Sequence, residues 1–216
     1  MSPGRVSLTA LCLFLALQLA ARAHVAKDNP EAGHAAHVEH AGSQEETNIV
    51  DVEAPDVTLL DQEGVPGRFV SDHIGDRLAV VTFTFTDCTT ICPIVDGVFQ
   101  QLQDEIADQL GQGTVLLTVS IDPVRDIPDR LKQRAEKLQA KPGWSFLTGE
   151  KQTVNSLLKA LEMWTPDIWN HPPTVFVVDG RRHVWTRLSG FPQPNKIAEV
   201  LDRYHTARSE SGGAAK

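Results

Sequence analysis

The stretch LAVVTFTFTDCTTICP, residues 78–93, decides how the chain is read. Its first eight residues are almost all apolar, β-branched or aromatic and carry no charge. That is the pattern of a central strand buried on both faces. Two cysteines follow, four residues apart, and Pro93 comes directly after the second. Beyond the proline, Val95, Val98, Phe99, Leu102, Ile106 and Leu110 recur at helical spacing. A buried strand running into a helix places the residues between them at the carboxyl edge of a sheet, where ligands and chemistry gather in open α/β folds.

The same alternation continues outward from this stretch. TVLLTVSI (114–121) is a second buried strand, and DPVRDIPDRLKQRAEKLQA (122–140) is a loop leading into a helix, with Pro128 tolerated in its first turn. WSFL (144–147) reads as a short strand and KQTVNSLLKALEM (151–163) as a helix. PTVFVVDGRRHVWTRLSG (173–190) reads as a hairpin turning at Asp179-Gly180, and NKIAEVLDRYHTAR (195–208) as the closing helix. Upstream, VTLLDQEGVPGRFV (57–70) has two apolar runs around a Gly-Pro turn, an N-terminal hairpin. Strands alternating with helices predict an α/β domain with a central mixed sheet, mainly parallel and flanked by helices. The element order is that of a thioredoxin-like fold with an N-terminal hairpin extension.

The flanks differ in kind. Arg5, the apolar run VSLTALCLFLALQLA (6–20) and the small-x-small ARA (21–23) read as a secretory signal peptide over 1–23, with Cys12 lost on cleavage. An uncleaved run would instead tether the domain at a membrane surface. Residues 24–56 hold one lysine and eight acidic residues, seven of the chain's eight net negative charges, along with His24, His34, His37 and His40. This composition predicts a disordered tail, either a plain solvated linker or a segment that collects metal loosely. The folded domain is expected over 57–208, with a frayed tail over 209–216. A mildly acidic chain without a basic patch excludes the common nucleic-acid-binding classes.

Export leaves Cys88 and Cys92 as the only cysteines, in a compartment where disulfides persist. They could form a structural staple, a redox couple or a metal grip. A staple closing so small a loop stabilises little by chain entropy. A four-residue step on a helical turn puts both sulfurs on one face, which suits either a disulfide or two ligands on one ion. A helix N-terminus also favours the thiolate; Asp87 would oppose this if it pointed inward. His171, in WNHPPT, lies in the loop before the penultimate strand and so reaches the same sheet edge. Pro173 in that loop is a candidate for a cis bond. Asp122 and Asp126 follow the second buried strand at this edge, as turn and cap residues or, for Asp122, as a group that orients the site.

These motifs together resemble the SCO/SenC family of copper proteins. FTFTDCTTICP (83–93) is similar to the family's C-x-x-x-C-P motif, VSIDPVRDIP (119–128) to its S-x-D-P-x-R-D-T-P stretch, and PGWSFLTG (142–149) to its segment ahead of the next helix. His171 falls where the family has its downstream histidine. The resemblance covers about Val57 to Arg208. It implies a thioredoxin-like fold and one copper ion, Cu(I) or Cu(II), held by Cys88, Cys92 and His171. It also implies a role in assembling the copper centre of cytochrome c oxidase as metal donor, thiol reductant or both. The expected partners are a copper-receiving client, a cytochrome c oxidase subunit, and a thiol reductant. The expected location is periplasmic, or membrane-anchored facing the periplasm. Asn170 stands where the family commonly has Asp, and Ile127 where it has Thr.

Other functions compete with an exported metallochaperone. A thiol-disulfide oxidoreductase would use Cys88 and Cys92 catalytically and need no copper, but it usually carries C-x-x-C and no histidine across the cleft. A copper buffer or sensor would make use of the His-rich tail. A peroxidase would need one thiol activated by a nearby base or cation, which DCTTIC does not supply.

Overall fold

The computed structural model describes residues 46–213. The leader at 1–23, the histidines at 24, 34, 37 and 40, and residues 214–216 lie outside the described residues. Among the described residues no helix is long and apolar enough to cross a membrane.

The architecture is the expected thioredoxin-like one, though the central sheet is not mainly parallel: among the described residues three of its pairings are antiparallel and two parallel. A six-stranded mixed sheet has the order β1-β8-β7-β4-β5-β6, with β4 (Leu78–Thr84), β5 (Thr114–Ser120) and β6 (Trp144–Leu147) parallel. β7 (Thr174–Asp179) runs antiparallel beside β4, followed by β8 (Val184–Ser189) and the edge strand β1 (Glu46–Val50). A separate two-stranded hairpin, β2 (Thr58–Leu60) and β3 (Pro66–Arg68), leads into a single helical turn at Phe69–Ile74. Every residue of β4 and β5 is buried, as their uninterrupted apolar runs require.

Strand alternation divides the interior into two cores. Leu78 and Val80 face α1 (Cys92–Glu105), α2 (Pro128–Lys137) and α4 (Pro194–Gly213), meeting Phe99, Leu131 and Leu201. Ala79, Val81 and Phe83 face the other layer, built by α3 (Lys151–Ala160) and the hairpin through Leu157, Leu59 and Phe69. Cys88 and Cys92 belong to this second core, together with Phe85.

Four further details differ from the sequence reading. The acid-rich segment does not stop short of the domain: Glu46–Val50 pairs with β8 from Glu46↔Ser189 to Val50↔Trp185. Its side chains are mostly exposed, so the strand is held by its main-chain ladder, which composition does not reveal. Asp56, also assigned to the tail, accepts from Arg68 Nε at 2.7 Å and from the amides of Val70 and Ser71. At the other end, α4 runs on to Gly213, and the hydroxyls of Ser209 and Ser211 donate back to the carbonyls of His205 and Arg208. The β7–β8 connection is a four-residue loop, with His183 in the left-handed region at φ 53°. Gly180 is needed there because a Cβ would collide with the Gly75 carbonyl. The bond before Pro173 is trans, since no described peptide is cis. The Pro173 carbonyl accepts from Gly190 N at 3.0 Å, and the His171 side chain, rather than a cis-proline backbone, is what approaches the cysteines.

Candidate metal centre

β4 ends at Thr84, and the chain turns at once: Cys88 N donates to the Phe85 carbonyl at 3.0 Å. Cys92 then opens α1 with Pro93 behind it, where a missing N–H costs nothing. Ile91, at the cap position, offers no side-chain acceptor to the first helical amides. The Cys88 sulfur takes that place, accepting from Cys92 N at 3.3 Å. It therefore sits on the positive end of the helix, where a thiolate is favoured.

His171 comes from the opposite side. Asp167 caps the 3-10 turn Ile168–Asn170, accepting from Trp169 N at 3.1 Å and from Asn170 Nδ2 at 2.7 Å. The next residue points its imidazole inward, with Nε2 3.9 Å from Cys92 Sγ. The two sulfurs and one imidazole nitrogen lie within 4.8 Å of one another. All three residues are buried, at 5%, 2% and 5% exposure for Cys88, Cys92 and His171. Phe85 backs the imidazole edge-on, ring centres 5.9 Å apart, and Trp169 closes over Phe85 at 4.9 Å.

Electrostatics distinguish the two free thiols. Burial, reinforced by the neighbouring Cys88, pushes the Cys92 thiol up to about 12. Burial also opposes ionisation of Cys88, but hydrogen bonding from Cys92 and Thr90 outweighs it and lowers that thiol. Burial lowers His171, which keeps its imidazole neutral and able to ligate. His171 Nδ1 is buried without a hydrogen-bond partner. Two sulfurs and an imidazole form a soft donor set that fits copper. The same sulfurs, close and unequal in acidity, also fit thiol-disulfide exchange.

The structure brings Cys88, Cys92 and His171 together and redistributes the other candidates. Asp122, half-buried, pairs with the exposed Arg125 at 2.6 Å. Asp126 is the buried aspartate of this loop, bonded to Thr86 and Ser120. Asp87 turns outward to Arg130. Asn170 is tied to Asp167 rather than facing the sulfurs. Sequence reasoning missed Phe85, Asp167 and Trp169, and gave Asp126, which it placed at this edge, only a turn or cap role. Asp167 had a legible signal, an Asp two residues ahead of the amide it caps. Beside the centre, a groove of about 510 Å³ runs between the β5–α2 loop and the segment before β7, with Arg125, Lys151, Trp164 and Trp169 on its walls. Ile94, Val124, Ile127, Trp164 and Trp169 are all exposed, and all stand on the three segments that meet at this edge.

A family model described as SCO1/SenC matches residues 47–206. The SCO1 protein homolog of Bacillus subtilis is 28% identical over 114 residues, 52% of this chain and 57% of that protein. The chain spans about half the length of the curated relatives it matches. Among solved structures, BsSco, a Sco-family cytochrome c oxidase assembly protein with a disulfide switch, superposes at TM-score 0.62 and 22% identity, over 75% of this chain and 96% of that one. Yeast Sco1 with copper bound gives TM-score 0.59 at 17% identity, over 71% and 93% of the two chains.

Proposed function

The chain belongs to the SCO1/SenC family, and from that premise we propose that it is an exported copper-binding metallochaperone that helps assemble the copper centre of cytochrome c oxidase. The observation that carries this reading is the convergence of Cys88, Cys92 and His171 within 4.8 Å in a buried pocket. A two-thiol, one-imidazole set with an unpartnered Nδ1 has no structural need for burial, but it suits a soft cation. The copper-bound yeast relative supports copper as the cargo, and the oxidase-assembly role of the BsSco relative supports the client class. The apolar rim around the centre supports transfer to a docked protein. The apolar run at 6–20 supports export.

A second reading, thiol-disulfide exchange by the same pair, is favoured by one observation: the Cys88 thiol is lowered while Cys92 is pushed up to about 12. An attacking thiol that ionises more readily than its protonated partner is what exchange requires. Copper binding and the disulfide then exclude each other, because both consume the same sulfurs. In an oxidising compartment a thiol reductant must precede copper loading.

The test is competitive Cu(I) titration of the reduced full chain and of Cys88→Ser, Cys92→Ser and His171→Ala. One ion per chain is expected. Each variant should lose about a hundredfold or more in affinity, since lesser losses around a metal site already cost 10–100-fold. His171→Ala binding copper as tightly as the parent would overturn the three-donor site and leave the exchange reading standing.

A further inference from the structure

The aspartate assigned to turn chemistry has a different setting from its neighbours. Asp126 is 1% exposed, and no cation lies within ion-pair distance of it among the described residues. A buried carboxylate without a cation is costly unless its oxygens are hydrogen-bonded. Here the donors come from Thr86, two residues before Cys88, and from Ser120, the last residue of β5. Thr86 N donates to both oxygens at 3.1 and 3.2 Å, the Thr86 hydroxyl donates to Oδ1, and the Ser120 hydroxyl donates to Oδ2 at 2.7 Å. Thr86 is the second residue of the turn whose first carbonyl, that of Phe85, holds Cys88 N at 3.0 Å. The Phe85 ring in turn backs His171. A single carboxylate, 40 residues along the chain from Thr86, thus clamps the turn that presents one sulfur and the plate that seats the imidazole.

We infer that Asp126 is the positioning residue of the Cys88–Cys92 pair: it fixes the Phe85–Cys88 turn against the end of β5 and so sets the distance and orientation of the Cys88 sulfur relative to Cys92. Hydrogen-bond geometry is what it supplies; its charge is secondary. The inference rests on Cys88 and Cys92 being the working pair, and it needs no metal to be tested.

The experiment equilibrates the full chain with glutathione buffers. Protein dithiol and glutathione disulfide give protein disulfide and two glutathione thiols, so the ratio of forms yields an oxidation constant. Holding two thiols in register raises that constant, and releasing one lowers it. Asp126→Ala should lower it by about fivefold or more. Asp126→Asn should lie within about twofold of the parent, because an amide oxygen still accepts from Thr86 while its NH₂ can donate to Ser120. Leu201→Ala, a cavity in the opposite core, serves as a control of comparable stability loss and should leave the constant unchanged. The inference fails if Asp126→Ala matches the parent, if Leu201→Ala moves the constant equally, or if Asp126→Asn falls as far as Asp126→Ala, which would make charge the agent. If Asp126→Ala does not fold, Ser120→Ala and Thr86→Val take its place: each should lower the constant, and parent-like values in both would overturn the inference. A parent that binds no copper would sink the metallochaperone reading but leave this glutathione measurement able to decide on Asp126.

Discussion

Cys92 is the residue on which the chemistry turns. Its thiol is pushed up to about 12, so at neutral pH it is protonated, and a copper ion bound there would have to displace that proton. Cys88 is shifted the opposite way and releases its proton at lower pH. The apparent Cu(I) affinity should therefore rise with pH throughout the range 7–9, by about tenfold per unit for the Cys92 proton alone. It should rise less steeply in Cys92→Ser. A competition titration at three pH values checks this, and a flat profile would mean that Cys92 is not a ligand. At this scale the three converging donors could be named from the sequence, Cys88 and Cys92 by their spacing at a strand-to-helix turn and His171 by likeness to a family. The role of Asp126 was not legible, because an Asp between Val124-Arg125 and Ile127-Pro128 looks like any turn residue until burial separates it from Asp122. The residue types of Phe85 and Trp169 said core and surface, and only their contact with His171 and with each other gave them a part in the centre.

Among the elements, α1 and α2 are joined by a pair that makes stability depend on pH. Asp96 on α1 meets Arg134 on α2 at 2.6 Å, both side chains 12% exposed. Burial raises the Asp96 carboxyl from 3.8 to about 6, with Arg134 pulling the other way. The folded state therefore holds this proton more tightly than the unfolded chain. The contribution is present in full below the unfolded value and is lost as pH rises through about 6. Between about pH 4 and 6 this group should reduce unfolding free energy by about 2 kcal/mol, and Asp96→Asn should remove that slope. Chemical denaturation at several pH values reads it directly. A second prediction concerns β1. A chain beginning at Val57 loses the β1–β8 ladder, the packing of Val50, Val52 and Ala54, and the Asp56 hydrogen bonds. Relative to one beginning at Glu46 it should be less stable by about 3 kcal/mol, roughly 6–12 °C in Tm. Equal melting temperatures would show that β1 adds nothing. The central strands and four helices were readable because burial imposes periodicity. β1 was not, because an edge strand held by its backbone leaves no apolar signature.

Taken whole, the molecule puts its donors, its apolar rim and its groove on one sheet edge, and buries the donors beneath the rim. A metal that binds the folded chain and not the unfolded one stabilises it by mass action, by about 2.7 kcal/mol when free metal is a hundredfold above Kd. Reduced, copper-loaded protein should thus melt roughly 5–10 °C above the reduced metal-free form. The oxidised form should gain nothing from copper; an equal gain in both would place the metal elsewhere. The fold class and the shared sheet edge were legible at this scale from the strand-helix order, but the joining of two cysteines and one histidine into a single donor set was legible only by likeness to a family. Cys92 and His171 are 79 positions apart, and β7, which follows the histidine, must insert beside β4 before the imidazole can arrive. Synthesis proceeds from the N-terminus at about 5–20 residues per second, so the thiols exist for roughly 4–16 seconds before the histidine does. A nascent chain therefore presents a bare dithiol to whatever ion it meets, and gains its third donor only when β7 pairs with β4.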